Sequence, residues 1–276
     1  MTFLENVDKA KLQKILLITI SALMLIALAL LLAIVIMSIE PAGLQGTDIE
    51  FTDYTLTDKD IATGSLVLAD KDHPFEPGAD LLATMTNCQE YRNANRGDVE
   101  KGPYYSMNNV QLSQIAISEA HDLLVAAENA IKGDDLLIKY AFFGDDGETA
   151  EYKTGMLMFL TNYDEEKLPE TYAKWLDENA ARYGFVESFE DAYRYVGVAH
   201  AKYMTDEELT LAEYIEYLKK NTDSTKVLTV KVDGDSYSVY YAEGKSGDSI
   251  KVPADAEYVI SATNDGGVVV TVKLEK

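Results

Sequence analysis

VQLSQIAISEAHDLLVAAENAIKGDDLLIKYAFFGDDG, residues 110–147, holds a helix and a strand in immediate succession. Leu112, Ile115, Ala116, Ala120, Leu123, Leu124, Ala127 and Ile131 recur at three- and four-residue steps, which predicts a helix over Val110–Ile131 with Gly133 as its stop. The continuous apolar run Leu136–Phe143 predicts a buried strand, broken by Gly144-Asp145-Asp146-Gly147. Working outward, Met156–Leu160 reads as a second strand. Glu170–Tyr183 has helical spacing and ends at Gly184, and Leu211–Leu218 opens after Thr210, a natural N-cap. Upstream, Ser65–Ala69 is short, apolar and closed by Asp70-Lys71-Asp72-His73-Pro74, a strand followed by a turn. Strands and helices mix without regular βαβ alternation, so the expected fold class is α+β, a mixed sheet with packed helices over residues 61–220.

The last fifty residues change character. Val227–Val232, Tyr237–Tyr241, Ser249–Val252, Tyr258–Ala262 and Val268–Leu274 are short β-type runs separated by Asp233-Gly234, Glu243-Gly244, Pro253 and Asp265-Gly266-Gly267. They predict a small all-β module over 226–276. No Asp-x-Asp-x-Asp-Gly run with a closing Glu is present, so the Asp-Gly pairs read as turns and not as calcium loops. Residues 40–60 are polar and without period, which reads as a stalk, with ordered structure starting near Ile61.

At the other end, ILLITISALMLIALALLLAIVIMSI, residues 15–39, carries no charge. As a helix it reaches about 37 Å, enough for a hydrocarbon core of about 30 Å, and it exceeds the apolar core of a cleavable signal peptide. Lys9, Lys11 and Lys14 precede the span and no Lys or Arg follows it before Lys59. The positive-inside bias therefore predicts a single-pass anchor with residues 1–14 in the cytoplasm and the remainder extracytoplasmic.

The 24 Lys and Arg against 47 Asp and Glu give a formal charge of -23, which excludes nucleic acid as a partner because its phosphates would be repelled. A hydrophobic fraction of 47% separates the chain from a disordered acidic tail. Cys88 is the single cysteine, so no internal disulfide can form. A Cys88 nucleophile with His121 as its base is the sharper reading of that residue, a small buried hydrophobe the plainer and preferred one.

Residues 172–185, YAKWLDENAARYGF, followed by Arg194-Tyr195-Val196-Gly197, His200-Ala201 and Leu209–Leu218, resemble the conserved helix and ending of VanY-type D-alanyl-D-alanine carboxypeptidases. Leu66-Val67-Leu68 with Asp70–Pro74 is similar to the opening of that family, and Tyr258–Ser261 with Asn264–Gly267 is similar to a module that some membrane-anchored members append. The resemblance implies a peptidoglycan-trimming zinc peptidase scaffold in which a His, an Asp seven residues later and a second His hold the ion, while a Glu takes the proton of its water. The run corresponding to the first ligand motif is Ala150–Phe159. Gly155 is kept, but Tyr152 stands at the His position and Phe159 at the Asp position. In the second motif, read on Phe189-Glu190-Asp191-Ala192-Tyr193, the His position falls to Ala192 or Tyr193 and the base position to Phe189 or Glu190, according to where a one-residue gap is placed. The family's substrate-gripping Arg is also missing from Tyr140–Gly144. His73, His121 and His200, the only histidines, lie at no metal-ligand spacing.

These departures predict no catalytic residue, no metal ligand and no cofactor, with Glu151, Tyr152, Gly155, Phe159 and Tyr193 lining a residual groove. The expected protein is a membrane-tethered pseudoenzyme facing the wall of a Gram-positive bacterium, binding peptidoglycan stem peptide or an envelope protein. An active carboxypeptidase with an atypical site and an envelope scaffold or regulator are the two alternatives.

Overall fold

The computed structural model describes Thr19, Ile20, Met24, residues 43–46, 49–95, 104–133, 135–142, 150–163 and 167–274. The expected cytoplasmic tail, nearly all of the expected span 15–39 and the break at 143–147 lie outside these residues. Among the described residues no helix is long and apolar enough to cross a membrane.

In chain order the elements are β1 (Gly43–Gly46), β2 (Phe51–Thr55), α1 (Ala79–Leu82), β3 (Met85–Asn87), α2 (Cys88–Asn95), β4 (Tyr105–Ser106), β5 (Gln111–Ser113), α3 (Gln114–Ile131) and β6 (Leu136–Tyr140). Then come β7 (Leu157–Asn162), α4 (Glu170–Asn179), β8 (Phe185–Phe189), β9 (Ala192–Tyr195), α5 (Val198–Asp206), α6 (Leu211–Asn221) and the strands β10 (Lys226–Val232), β11 (Asp235–Glu243), β12 (Ser249–Pro253), β13 (Tyr258–Ala262) and β14 (Gly267–Leu274). Short 3-10 helices cover Ala150–Thr154 and Ala180–Tyr183.

The quoted stretch folds as its pattern requires, with one refinement: the first three residues after Val110 pair with β3 as β5, and the helix starts at Gln114. Lys132 takes the left-handed conformation that ends it. The apolar stripe of α3, including Ile117, Leu123 and Leu124, packs with Leu136, Ile138, Met158, Leu160 and Leu176 into one core. Below it lies a mixed five-stranded sheet in the order β4-β6-β7-β9-β8, parallel only between β4 and β6. The α+β expectation holds for this part.

Two expectations are corrected. Residues 40–60 do not form a bare stalk in their described part: β1 pairs with β10 and β2 with β12. Phe51 and Tyr54, toward the two ends of the short strand β2, both pack against the core around Tyr240 and Ile250. Ser65–Ala69 is also not a strand. Leu66, Val67 and Leu68 are buried, but their backbone groups are met singly. Leu66 N–H donates to Ser261 Oγ at 2.9 Å, Leu68 N–H to the Thr263 carbonyl at 2.9 Å, and the Val67 carbonyl accepts from Arg194 at 2.6 Å. Periodicity shows that such a run is buried; it cannot show what satisfies its amides.

The β region is not a separate appendage either. Its antiparallel sheet, ordered β1-β10-β11-β14-β13, turns Val227, Tyr240, Val268 and Val270 toward the β2–β12 pair on one face. The other face presents Leu228, Val230, Val239 and Val269 to Tyr203, Met204, Ile215 and Leu218 of α5 and α6. His200 fastens this joint: its ring lies 2.8 Å from Tyr214 Oη and 2.9 Å from Thr271 Oγ1.

Candidate functional site

The alternation of strands places the positions singled out by the sequence. Phe159 of β7 lies directly opposite Ala192 of β9, and Ala192 is in turn opposite Phe189 of β8. The 3-10 turn Ala150–Thr154 drops Tyr152 onto the same face, where it is buried with Leu157 and Ala192 and packed by Phe159. The Tyr152 and Phe189 rings meet edge-on at 6.3 Å, and Tyr140 of β6 lies 5.7 Å from Phe159. Ala192 and Phe189 thus share the face of Tyr152 and Phe159. Tyr193, the alternative, pairs with Met158 and points into the helix-side core, where burial raises its phenol above the usual range. Tyr193 therefore does not belong to the residual groove, and the expectation that it does is corrected.

Glu151 and Gly155 serve this face in different ways. The Glu151 carboxylate accepts from the Arg194 guanidinium at 2.8 Å and from Ser188 Oγ at 2.8 Å. Gly155 sits at φ +68, where a Cβ would meet Met85 Cε at 2.4 Å, and its carbonyl accepts from Ser113 N–H at 2.8 Å. The retained glycine of the motif thus keeps the turn that delivers β7. Arg194, with its side chain 1% exposed, also donates to the carbonyls of Ser65 and Val67. In the sequence, Arg194 stands out only as part of the Arg194-Tyr195-Val196-Gly197 motif. An arginine in the alternating strand AYRY, whose neighbours are buried, was the available signal that it needs a buried carboxylate.

The other candidates disperse. Cys88 is fully buried in the helix-side core and its thiol is pushed up to about 12 by burial, as expected of a small packing residue. His121 lies 3.1 Å from Tyr104 Oη, and His73 lies 3.0 Å from Asp70 Oδ1 in its turn. His200 is at the joint described above. No histidine approaches the Tyr152 face by any of these contacts.

The sequence comparison gives a curated relative, a D-alanyl-D-alanine carboxypeptidase of Enterococcus faecium, 36% identical over 120 residues. Over that stretch the chain is similar to a D-alanyl-D-alanine carboxypeptidase. The match covers 39% of this chain and 38% of the relative's length. No family model matches the chain. Among solved structures, the vancomycin resistance D,D-dipeptidase VanXYg, in complex with a D-Ala-D-Ala phosphinate analogue, superposes with a TM-score of 0.63 at 18% identity, over 82% of this chain and all of that one. That likeness establishes the fold. VanYB in complex with D-alanine-D-alanine aligns over 55% of this chain and 97% of its own, with a TM-score of 0.38 and 17% identity. A point mutant of the vancomycin resistance D,D-pentapeptidase VanY is solved in complex with Zn(II), aligned over 55% of this chain and 98% of its own at 18% identity and a TM-score of 0.38.

The expectation of no cofactor is corrected: the vancomycin resistance D,D-pentapeptidase VanY, a structural neighbour, is solved in complex with Zn(II), so the absence of zinc is not supported. The side chains at the corresponding positions here are a phenol, a phenyl ring and a methyl group, and at the base position a second phenyl ring. They do not fit a zinc ion at that place. Among the described residues no group of three or more His, Cys, Asp or Glu lies close enough to hold a metal. What the face can do chemically is present apolar and aromatic surface, with Tyr140 42% and Phe189 39% exposed beside the buried centre.

Proposed function

We propose that this chain is a membrane-tethered, wall-facing VanY-type protein that binds the D-alanyl end of a peptidoglycan stem peptide and does not cleave it. The single observation behind this reading is the convergence of Tyr152, Phe159, Ala192 and Phe189 on one face. The frame that gathers the family's reacting groups is kept, and the groups themselves are replaced by apolar side chains. The exposed rings of Tyr140 and Phe189 offer the contact that the methyl groups of D-alanine favour. The tether is the apolar run 15–39, with three lysines on its N-terminal side placing the acidic domain outside the cytoplasm.

The test uses the full chain in detergent, with and without added zinc. D-alanine release from a Lys-D-Ala-D-Ala peptide, zinc content by elemental analysis and retention on peptidoglycan sacculi are measured on the same preparation. The reading expects retention on sacculi and no D-alanine release in either condition. Release that depends on zinc would replace it with an active carboxypeptidase built on other residues. A folded chain with neither release nor retention would move the function to an envelope partner.

A further inference from the structure

A cavity of about 560 Å³ lies between the sheet of the β region and the segments that carry α3 and α5. Its floor is the sheet face of Tyr237, Val259, Ser261 and Thr271, and its walls are the turn Val196–His200, the start of α3 at Ser113–Ile115, and Leu81. None of Tyr152, Phe159, Phe189 or Ala192 lines it. Its volume falls within the range of small-ligand clefts.

The lining chemistry narrows the occupant. Lys59 is the only Lys or Arg and Asp80 the only Asp or Glu among the lining residues, so this patch is neutral in a chain of formal charge -23. A phosphorylated ligand would find one exposed cation. A glycan would need more donors and acceptors than a surface dominated by Ile115, Met156, Val198, Val259 and the ring of Tyr195 provides.

The backbone supplies the positive argument. Among the described strands β13 is an edge, paired only with β14. Its amides alternate in direction: Thr263 N–H turns to Gly267, whereas Ala262 N–H turns outward and donates to the Thr63 carbonyl at 2.9 Å. Two residues earlier on the same edge, Ile260 faces outward in the same sense, beside the cavity that it helps to line. After Thr63 the chain stays packed on β13 at Ser261 and runs toward Thr263, not toward Ile260: Leu66 N–H donates to the Ser261 hydroxyl and Leu68 N–H to the Thr263 carbonyl. Val259, 67% exposed, and Ile115, 52% exposed, flank this part of the edge.

We propose that this cleft binds an extended peptide segment of apolar, uncharged side chains, added to the free edge of β13 and continuing the pairing that Thr63 begins. Backbone pairing at Ile260 would supply orientation, and alternate side chains would enter the cavity.

The experiment selects a phage-displayed random hexapeptide pool on the full chain in detergent, and measures selected peptides by fluorescence anisotropy on the parent chain and on the variants Ile115→Arg and Val259→Arg. Both positions are exposed, and unfolding curves confirm that the variants fold. The expected result is enrichment of apolar sequences, a loss of affinity of at least about tenfold in either variant, a similar loss when alternate peptide amides are N-methylated, and slowed hydrogen exchange at the Ile260 amide. Absence of enrichment over the two variants, peptides that bind both variants unchanged, indifference to N-methylation, or unchanged exchange at Ile260 would each overturn the proposal. Because the readout is independent of sacculus binding and D-alanine release, its failure is distinguishable from failure of the groove reading.

Discussion

Arg194 holds the Tyr152 face in shape through the turn beneath it. Its guanidinium ties the Glu151 carboxylate of the 3-10 turn to the buried carbonyls of Ser65 and Val67. Arg194→Met removes the partner of a largely buried carboxylate, and a loss of about 3–5 kcal/mol is expected in urea unfolding. His200 makes a second residue-scale prediction. Its full burial between Tyr214 and Thr271 lowers its pKa to about 3, below the ordinary 6.5. The unfolded chain therefore binds a proton that the folded chain refuses. The corresponding stability is complete above about pH 6.5 and falls by up to about 1.4 kcal/mol per pH unit as the pH drops toward 3. His200→Gln, which can still bond both hydroxyls, should flatten that slope between roughly pH 6.5 and 4.5, read from unfolding midpoints against pH. Equal slopes in the two proteins would show that other groups carry the acid response.

At the scale of elements, α6 is the helix whose start the sequence read most directly. Thr210 Oγ1 accepts from Glu213 N–H, and the Glu213 carboxylate accepts from Thr210 N–H at 2.9 Å, a reciprocal capping box. The Glu213 carboxyl is held below its usual range, first by the Thr210 hydroxyl and then by its amide. Thr210→Ala should cost about 1 kcal/mol, visible as a lower thermal midpoint. The pairing of β7, β8 and β9 makes a more demanding prediction. If this frame still holds the family's geometry, Tyr152→His, Phe159→Asp and Ala192→His introduced together should raise the zinc bound per chain by about one equivalent over the parent, measured by elemental analysis. A folded triple variant with no added zinc would show that the turn or strands have shifted as well as the side chains.

For the whole molecule, the consequence lies in how its parts share cores. The α5–α6 face of Tyr203, Met204, Ile215 and Leu218 is covered by β10, β11 and β14, and the β region itself uses β1 and β2 from the N-terminal side. Each large aliphatic or aromatic side chain uncovered there forfeits about 1.5–3 kcal/mol of burial. A fragment of residues 61–220 should therefore remain soluble only as a protease-sensitive, loosely packed chain, whereas 43–276 should give a cooperative transition. Limited proteolysis and circular dichroism of the two fragments check this. A protease-resistant, cooperatively unfolding 61–220 would mean that the shared core contributes little.

The sequence by itself determined the local order of this protein: the stripe of α3, the apolar runs of β6 and β7, the cap at Thr210, the β runs after Lys226, and the mixture of types that makes the fold α+β. It also located the departures at Tyr152 and Phe159, because a motif's spacing survives when its side chains change. Only the tertiary structure separated Ala192, on the Tyr152 face, from Tyr193, in the helix-side core, since consecutive strand residues point to opposite faces and a one-residue gap leaves both open. It alone turned part of the supposed stalk into strands, made a buried loop of Leu66–Leu68 and found a buried partner for Arg194. These features depend on atoms brought together from 40 to nearly 200 residues apart along the chain, such as Glu151 with Arg194 and Leu66 with Ser261, whose meeting no local period encodes.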